Sequence, residues 1–120
     1  MAQKDVLGRA GEDRAAAYLE KRGWRVLERN WRCRQGELDI VALDGDELVV
    51  VEVKTRRSLG FGHPLEAVDE RKRARLWRLA MAWATDHPGA ARGREIRLDA
   101  IAVTGPDATT AKLEHVVDLR

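Results

Sequence analysis

Residues 36–56 read GELDIVALDGDELVVVEVKTR. Two apolar runs flank Asp44–Gly45, a dipeptide that accepts positive φ and so closes hairpins. The spacing predicts strands over 37–43 and 48–55. Along the first, alternation sends Glu37, Asp39 and Val41 to one face and Leu38, Ile40 and Ala42 to the other. Along the second, Val50, Glu52 and Lys54 share a face, opposite Val49, Val51 and Val53. A loop of even length puts Asp39 and Glu52 on one face, directly opposed or one diagonal step apart. A three-residue loop would separate them. The run over 48–53 is apolar on both faces, as in a central strand covered on both sides.

Upstream, the pattern predicts a helix over 6–22, stopped by Gly23. Glu12, Ala15, Ala16 and Leu19 share one side of it, with Gly8 a turn earlier. That side is small and apolar, so Glu12 is an acid on a core-facing surface. A strand is expected over 24–29. Downstream, Gly60, Gly62 and Pro64 mark a loop over 58–64. A second helix is expected over 65–85, burying Leu65, Val68, Leu76, Leu79, Ala80 and Trp83. Lys72 sits inside that stripe, one turn from Val68 and Leu76. His87–Pro88–Gly89 ends the helix, and strands follow over 96–103 and 113–117. The order α-β-β-β-α-β-β predicts an α/β fold, a central mixed sheet flanked by helices, as a single domain over 1–120.

The chain has 120 residues, enough for one domain with a real core. With 44% hydrophobic and 35% charged residues it reads as globular rather than disordered. No apolar run is long enough to span a membrane, and the first eight residues lack a signal-peptide pattern. Cys33 stands alone and cannot form an intrachain disulfide. A cytoplasmic location and no membrane partner are therefore expected. The net charge of +2 does not by itself argue for nucleic acid. Its distribution says more: Arg29, Arg32 and Arg34 precede the hairpin, Lys54, Arg56 and Arg57 close it, and Arg71, Lys72, Arg73, Arg75 and Arg78 follow. Such stripes can contact phosphates, although solvated faces look the same.

The chemistry concentrates in Glu12, Asp39, Glu52 and Lys54, whose formal charges sum to −2. Two like charges about 4 Å apart repel by roughly 4 kcal/mol at an effective dielectric of 20. Lys54 neutralises one acid. The excess calls for protonation, a second base or a bound cation. Oxygen ligands select hard ions such as Mg²⁺ or Mn²⁺. The residues alone allow either such a site or a structural ion-pair cluster, since Lys54 and Lys72 together can balance the charge without metal. Glu37 has the right parity but opens a strand, where a solvated acid is commonplace. His63 is a lone loop histidine, more often structural than a proton carrier or phosphate contact. Phe61, Trp24, Trp31, Trp77 and Trp83 are candidates for stacking on bases. For Trp83 the core reading wins, whereas Trp31 and Trp77 stay open.

The helical Glu12, then Asp39, then Glu52-Val53-Lys54, resembles the PD-(D/E)xK nuclease superfamily, in its Holliday-junction-resolvase-like branch. The closer resemblance is to the YraN family of small bacterial proteins. GRAGEDRAAAYLEKRG, RNWR, the 36–56 stretch, GHPLEAV and LDAIAV carry it in order along most of the chain. Leu38 stands where the superfamily signature has proline, which is not a ligand. The resemblance implies a restriction-endonuclease-like α-β-β-β-α-β core. It implies Asp39 and Glu52 as the main metal ligands, with the Val53 carbonyl and Glu12 completing the set. Lys54 would orient the attacking water and stabilise developing charge. Arg34, Arg56, Arg57 and Lys72 would hold the nucleic-acid backbone without reading sequence. The expected activity is Mg²⁺- or Mn²⁺-dependent endonucleolytic cleavage of DNA, branched or single-stranded. Symmetric cutting of two strands would call for a homodimer. The alternative is a nucleic-acid-binding module with weak or no catalysis, working with a repair, recombination or uptake partner.

Overall fold

The structure, a computed structural model, describes residues 3–60 and 62–119. Its elements are α1 (Gln3–Lys21), β1 (Arg25–Cys33), β2 (Gly36–Asp44), β3 (Glu47–Arg56), a 3₁₀ turn (Pro64–Ala67), α2 (Glu70–Asp86), α3 (Pro88–Ala91), β4 (Ile96–Thr104) and β5 (Lys112–Val116). The strands form one mixed sheet in the order β1-β2-β3-β4-β5. β3 and β4 are parallel, which requires the long crossover that α2 supplies. The other neighbours are antiparallel. This is the α-β-β-β-α-β core expected from the sequence, with β5 added at the edge.

Each helix buries one face of the sheet. Ala15, Ala16 and Leu19 of α1 pack on Ile40, Val49, Val51, Ile101 and Val103. Leu76, Leu79, Ala80 and Trp83 of α2 pack on Leu48, Val50 and Leu98 on the other side. Burying each such Leu or Val side chain is worth about 1.5–3 kcal/mol, so the two layers hold β3 centrally. No described helix is long and apolar enough to cross a membrane.

The β2–β3 turn is Gly45–Asp46, between the paired Asp44 and Glu47, with Gly45 at φ 58°. The loop is therefore even, as the pairing of the two acids requires. Three local expectations change. β1 continues to Cys33 rather than ending near residue 29, with an extra residue between Val26 and Glu28. The helix expected from residue 65 starts at Glu70, because the Asp69 carboxylate accepts from the Lys72 N–H at 2.9 Å and caps it there. Leu65 and Val68 lie outside α2, though Val68 is still buried. Finally, strict alternation fails at Asp39: Leu38 and Val41 both join the α2 layer, while Ile40 and Ala42 join the α1 layer. Asn30 faces this point from β1 at φ 55°, a conformation that does not continue a pleat.

A second polar centre lies under α1. Asp99 is fully buried and accepts from Arg97 Nε at 2.9 Å and the Asp118 N–H at 3.0 Å. It also pairs with His115 Nε2 at 2.8 Å, and His115 Nδ1 meets the Tyr18 hydroxyl at 3.0 Å. Arg97 reaches on to Glu47 and Asp44, tying β4 to the β2–β3 turn. Burial pushes the Asp99 carboxyl up, but the hydrogen bonds from His115 and Arg97 outweigh it and hold it below its ordinary 3.8. A carboxylate held low stabilises the fold above its unfolded pKa and loses that contribution as pH falls through the folded value. Asp99→Asn should therefore cost about 3 kcal/mol in urea unfolding at neutral pH. The gap from wild type should narrow below about pH 4; a gap independent of pH would contradict this assignment.

Candidate active site

The β2–β3 ladder ends at Ile40↔Val51, one step before Asp39 would face Glu52. Beyond it the Val53 N–H donates to Asp39 Oδ2 at 2.8 Å instead of to a β2 carbonyl. A strand residue directs its N–H and C=O to the same side, so the Val53 carbonyl faces the same gap. Glu52 comes up beside Asp39 with its side chain only 7% exposed. Its Oε2 lies 3.1 Å from Lys72 Nζ and 4.0 Å from Lys54 Nζ. These groups line a cavity of about 250 Å³, together with Glu37, Arg75, Leu76 and Leu79.

The charges are unevenly held. Burial pushes the Asp39 carboxyl up to about 9, helped by the adjacent Glu52 carboxylate. Burial also opposes ionisation of Glu52, but its hydrogen bond with Asp39 and the charges of Lys54 and Lys72 keep it below the ordinary value. At neutral pH the pair thus carries one proton, and the two ammonium groups face a single full negative charge.

Glu12 does not line this cavity. It lies in a separate pocket of about 270 Å³ with Arg9, Asp13, Arg29 and Asn30. With its amide oriented to donate, Asn30 reaches both Glu12 oxygens, at 2.9 and 3.2 Å. Burial raises the Glu12 pKa, Arg29 opposes that, and Glu37 and Asp13 add to it. The charge of Glu12 is nevertheless felt at Asp39. Among the described residues no three of His, Cys, Asp and Glu converge as a metal-binding group. Asp39 and Glu52, with the Val53 carbonyl, are the oxygens brought together. They suit Mg²⁺ or Mn²⁺, which take one or two carboxylates and fill the remaining positions with water, and the cavity has room for water.

The basic residues divide. Lys72 reaches Glu52, and Arg34 lines an open groove of about 400 Å³ with Arg32, Gln35, Gly36, Glu37 and Arg75. Arg75 and Glu37 border both spaces, which makes the groove an extension of the cavity. Arg32 is paired with Glu37 at 2.7 Å, whereas Arg34 and Arg75 have no ion pair among the described residues. Arg56 donates to the Thr55 carbonyl, Arg57 is exposed, and neither lines the cavity. Arg75 and Asn30 are the site residues that sequence reasoning missed. Arg75 had only its place in a basic stripe as a signal, and Asn30 only its polarity inside a strand. His63 pairs with Glu114 at 2.8 Å and accepts from the Leu65 N–H at 3.1 Å, a structural role that caps the 3₁₀ turn. Trp31 and Trp77 are half-buried against the α2 layer, and Trp24 and Trp83 are buried. Phe61 lies outside the described residues.

The model of the family described as "Uncharacterised protein family UPF0102" matches residues 11–103, a span that contains all four expected acids and bases of the site. The chain belongs to this family, the YraN family. It is 55% identical to a UPF0102 protein of Arthrobacter sp. (strain FB24) over 116 residues, 97% of each chain. With one from Paenarthrobacter aurescens the identity is 53% over 116 residues, 97% of this chain and 94% of that one. With one from Acidothermus cellulolyticus it is 62% over 84 residues, 70% of this chain and 64% of that one.

Gly11 places the α1 side of the site. It is buried, and a Cβ there would collide with the Thr55 side chain, coming within 2.8 Å of Cγ2. Alanine favours a helix over glycine by about 1 kcal/mol, but overpacking costs about 1–3 kcal/mol. Gly11→Ala should therefore destabilise by about 1 kcal/mol, and cost less in a Thr55→Ala background, which leaves only the Cβ of residue 55 at 3.0 Å; chemical denaturation of the two pairs measures the difference. Asp39 gives the opposite case. A carboxyl raised to about 9 stabilises the fold below its unfolded pKa and loses that contribution as pH climbs toward 9. Asp39→Asn keeps an acceptor for Val53 and supplies the donor that the shared proton gives to Glu52. The metal-free variant should melt higher than wild type at pH 8, by roughly 2 kcal/mol of stability. A lower melting temperature would show that the pair is not strained.

Proposed function

We propose that the protein is a Mg²⁺- or Mn²⁺-dependent endonuclease that hydrolyses DNA phosphodiester bonds. One observation carries this reading. A buried carboxylate (Glu52) and a half-buried one (Asp39) from neighbouring strands and a main-chain carbonyl meet in a cavity that opens onto a groove with two arginines free of ion pairs among the described residues. Neighbouring acids held against their own repulsion favour a cation, and the arginines favour an anion beside it.

Asp39 and Glu52 would hold the ion with the Val53 carbonyl. When bound, the ion supplies Lewis acidity to a phosphoryl oxygen and lowers the pKa of water. Lys54, on the same strand face as Glu52, would stabilise the charge that builds on phosphorus and orient the attacking water. Arg75 and Arg34 would hold the backbone on one side of the scissile bond, and Lys72 would bind the phosphate at the cavity. Arg56 and Arg57, at the end of β3, would hold the flanking strand. Glu12 would act across the sheet through the field it exerts at Asp39. Two sites in a homodimer would serve a branched substrate. The Lys72–Glu52 pair at 3.1 Å favours a second reading, a nucleic-acid-binding module whose acids are already neutralised.

Incubation with branched, single-stranded and duplex DNA, with and without Mn²⁺, separates the two. The nuclease reading expects cutting that needs the metal and falls at least 100-fold in Glu52→Ala, a loss of about 2.7 kcal/mol in transition-state stabilisation. Arg34→Ala and Arg75→Ala should each weaken DNA binding and flatten its salt dependence by about one phosphate contact. Salt-sensitive binding with no cutting by any preparation would favour the binding module.

A further inference from the structure

One oxygen of Glu52 carries two ammonium groups. Lys72 approaches Oε2 at 3.1 Å and Lys54 the same atom at 4.0 Å. A cation held by Asp39 and Glu52 must draw on the negative charge of that carboxylate, and the closer ammonium competes with it for that charge and repels it. The two lysines are not equivalent. Lys54 belongs to the central strand, where its backbone is paired with Ala102 of β4. Lys72 belongs to the first turn of α2 and reaches Glu52 from above with its side chain 30% exposed. Its four-carbon stem can release Glu52 without any backbone movement.

The cavity also offers Lys72 a destination. Arg75 lies one turn further along α2, lines the same cavity and has no ion pair among the described residues. A phosphodiester drawn in by Arg75 would lie on the side of the cavity from which Lys72 extends. Resting on the nuclease reading above, we propose that Lys72 is an exchangeable counter-ion: it occupies Glu52 when the site is empty, and transfers to the backbone phosphate when nucleic acid and a divalent cation bind together. Nucleic acid then removes the competitor of the metal. The two ligands bind with positive coupling, and by linkage each raises the affinity of the other by the same factor. The contact is an inhibitory latch that the substrate opens.

Calorimetric titration with Mn²⁺ tests this, with and without a fully phosphorothioate single-stranded oligonucleotide, which keeps its charge and resists cutting. Heat lost in Glu52→Gln assigns the binding to this cavity. Wild type should bind Mn²⁺ about tenfold more tightly when the oligonucleotide is present, within the usual range of coupling. Lys72→Met should bind Mn²⁺ alone about tenfold more tightly than wild type, and gain less than twofold from the oligonucleotide. Lys54→Met should retain the coupling. Unchanged or weaker Mn²⁺ affinity in Lys72→Met would overturn the proposal, as would no coupling in wild type or no Mn²⁺ binding by either protein. The wild-type titration decides even where Lys72→Met does not fold, and circular dichroism identifies that case. Coupling without DNA cleavage would keep the latch and remove the nuclease reading, whereas cleavage without coupling would do the reverse.

Discussion

Where β2 parts from β3, the Val53 N–H is left without a strand carbonyl and the Asp39 carboxylate takes it at 2.8 Å. A buried N–H must find an acceptor, and an orphaned one costs about 1–3 kcal/mol. The acid therefore does structural service in closing the sheet while it stays in the plane between the two helix layers. From that position it sees Glu52 beside it and Glu12 through the split. The same parting of the strands turns the Val53 carbonyl into the gap. One displaced ladder bond thus creates the cavity, positions its acids and frees a main-chain oxygen.

The two polar centres of the molecule handle burial in opposite ways. Around Asp99 every charge is answered within the fold, by Arg97, His115 and a main-chain N–H. That carboxyl is held low, and its network braces β4, β5 and the hairpin turn. Around Asp39 the answer is of another kind: burial and the neighbouring carboxylate favour its protonated form, and lysines crowd the one ionised partner. Satisfied networks of the first kind specify structure. Strongly perturbed acids in a cleft are the kind found at working sites.

Much of this was legible in the sequence. Asp44–Gly45 signals a short hairpin, whose even Gly45–Asp46 loop brings Asp39 beside Glu52, and the valine run marks β3 as the covered central strand. Lys72, read from its stripe position as able with Lys54 to balance the acids, does reach Glu52. What failed was local or long-range. The start of α2 follows the Asp69 cap, which apolar periodicity does not register. The broken alternation that turns Leu38 toward α2 accompanies an Asn30 backbone conformation that no residue type dictates. Helical spacing put Glu12 on the core-facing side of α1 but could not say which side of the sheet it would reach; it lies in a pocket of its own, held by Asn30.

The Gly45–Asp46 turn also fixes the order in which the parts of the site meet. A hairpin closed by two residues forms in microseconds, long before a parallel pairing that must wait for a helical crossover. Asp39 and Glu52 are thus brought side by side while both are still bathed in solvent and their repulsion is weak. Lys72 arrives later, when α2 docks and water leaves, so the neutralising charge is delivered by the event that makes it necessary. A nascent chain never has to bury the two acids bare.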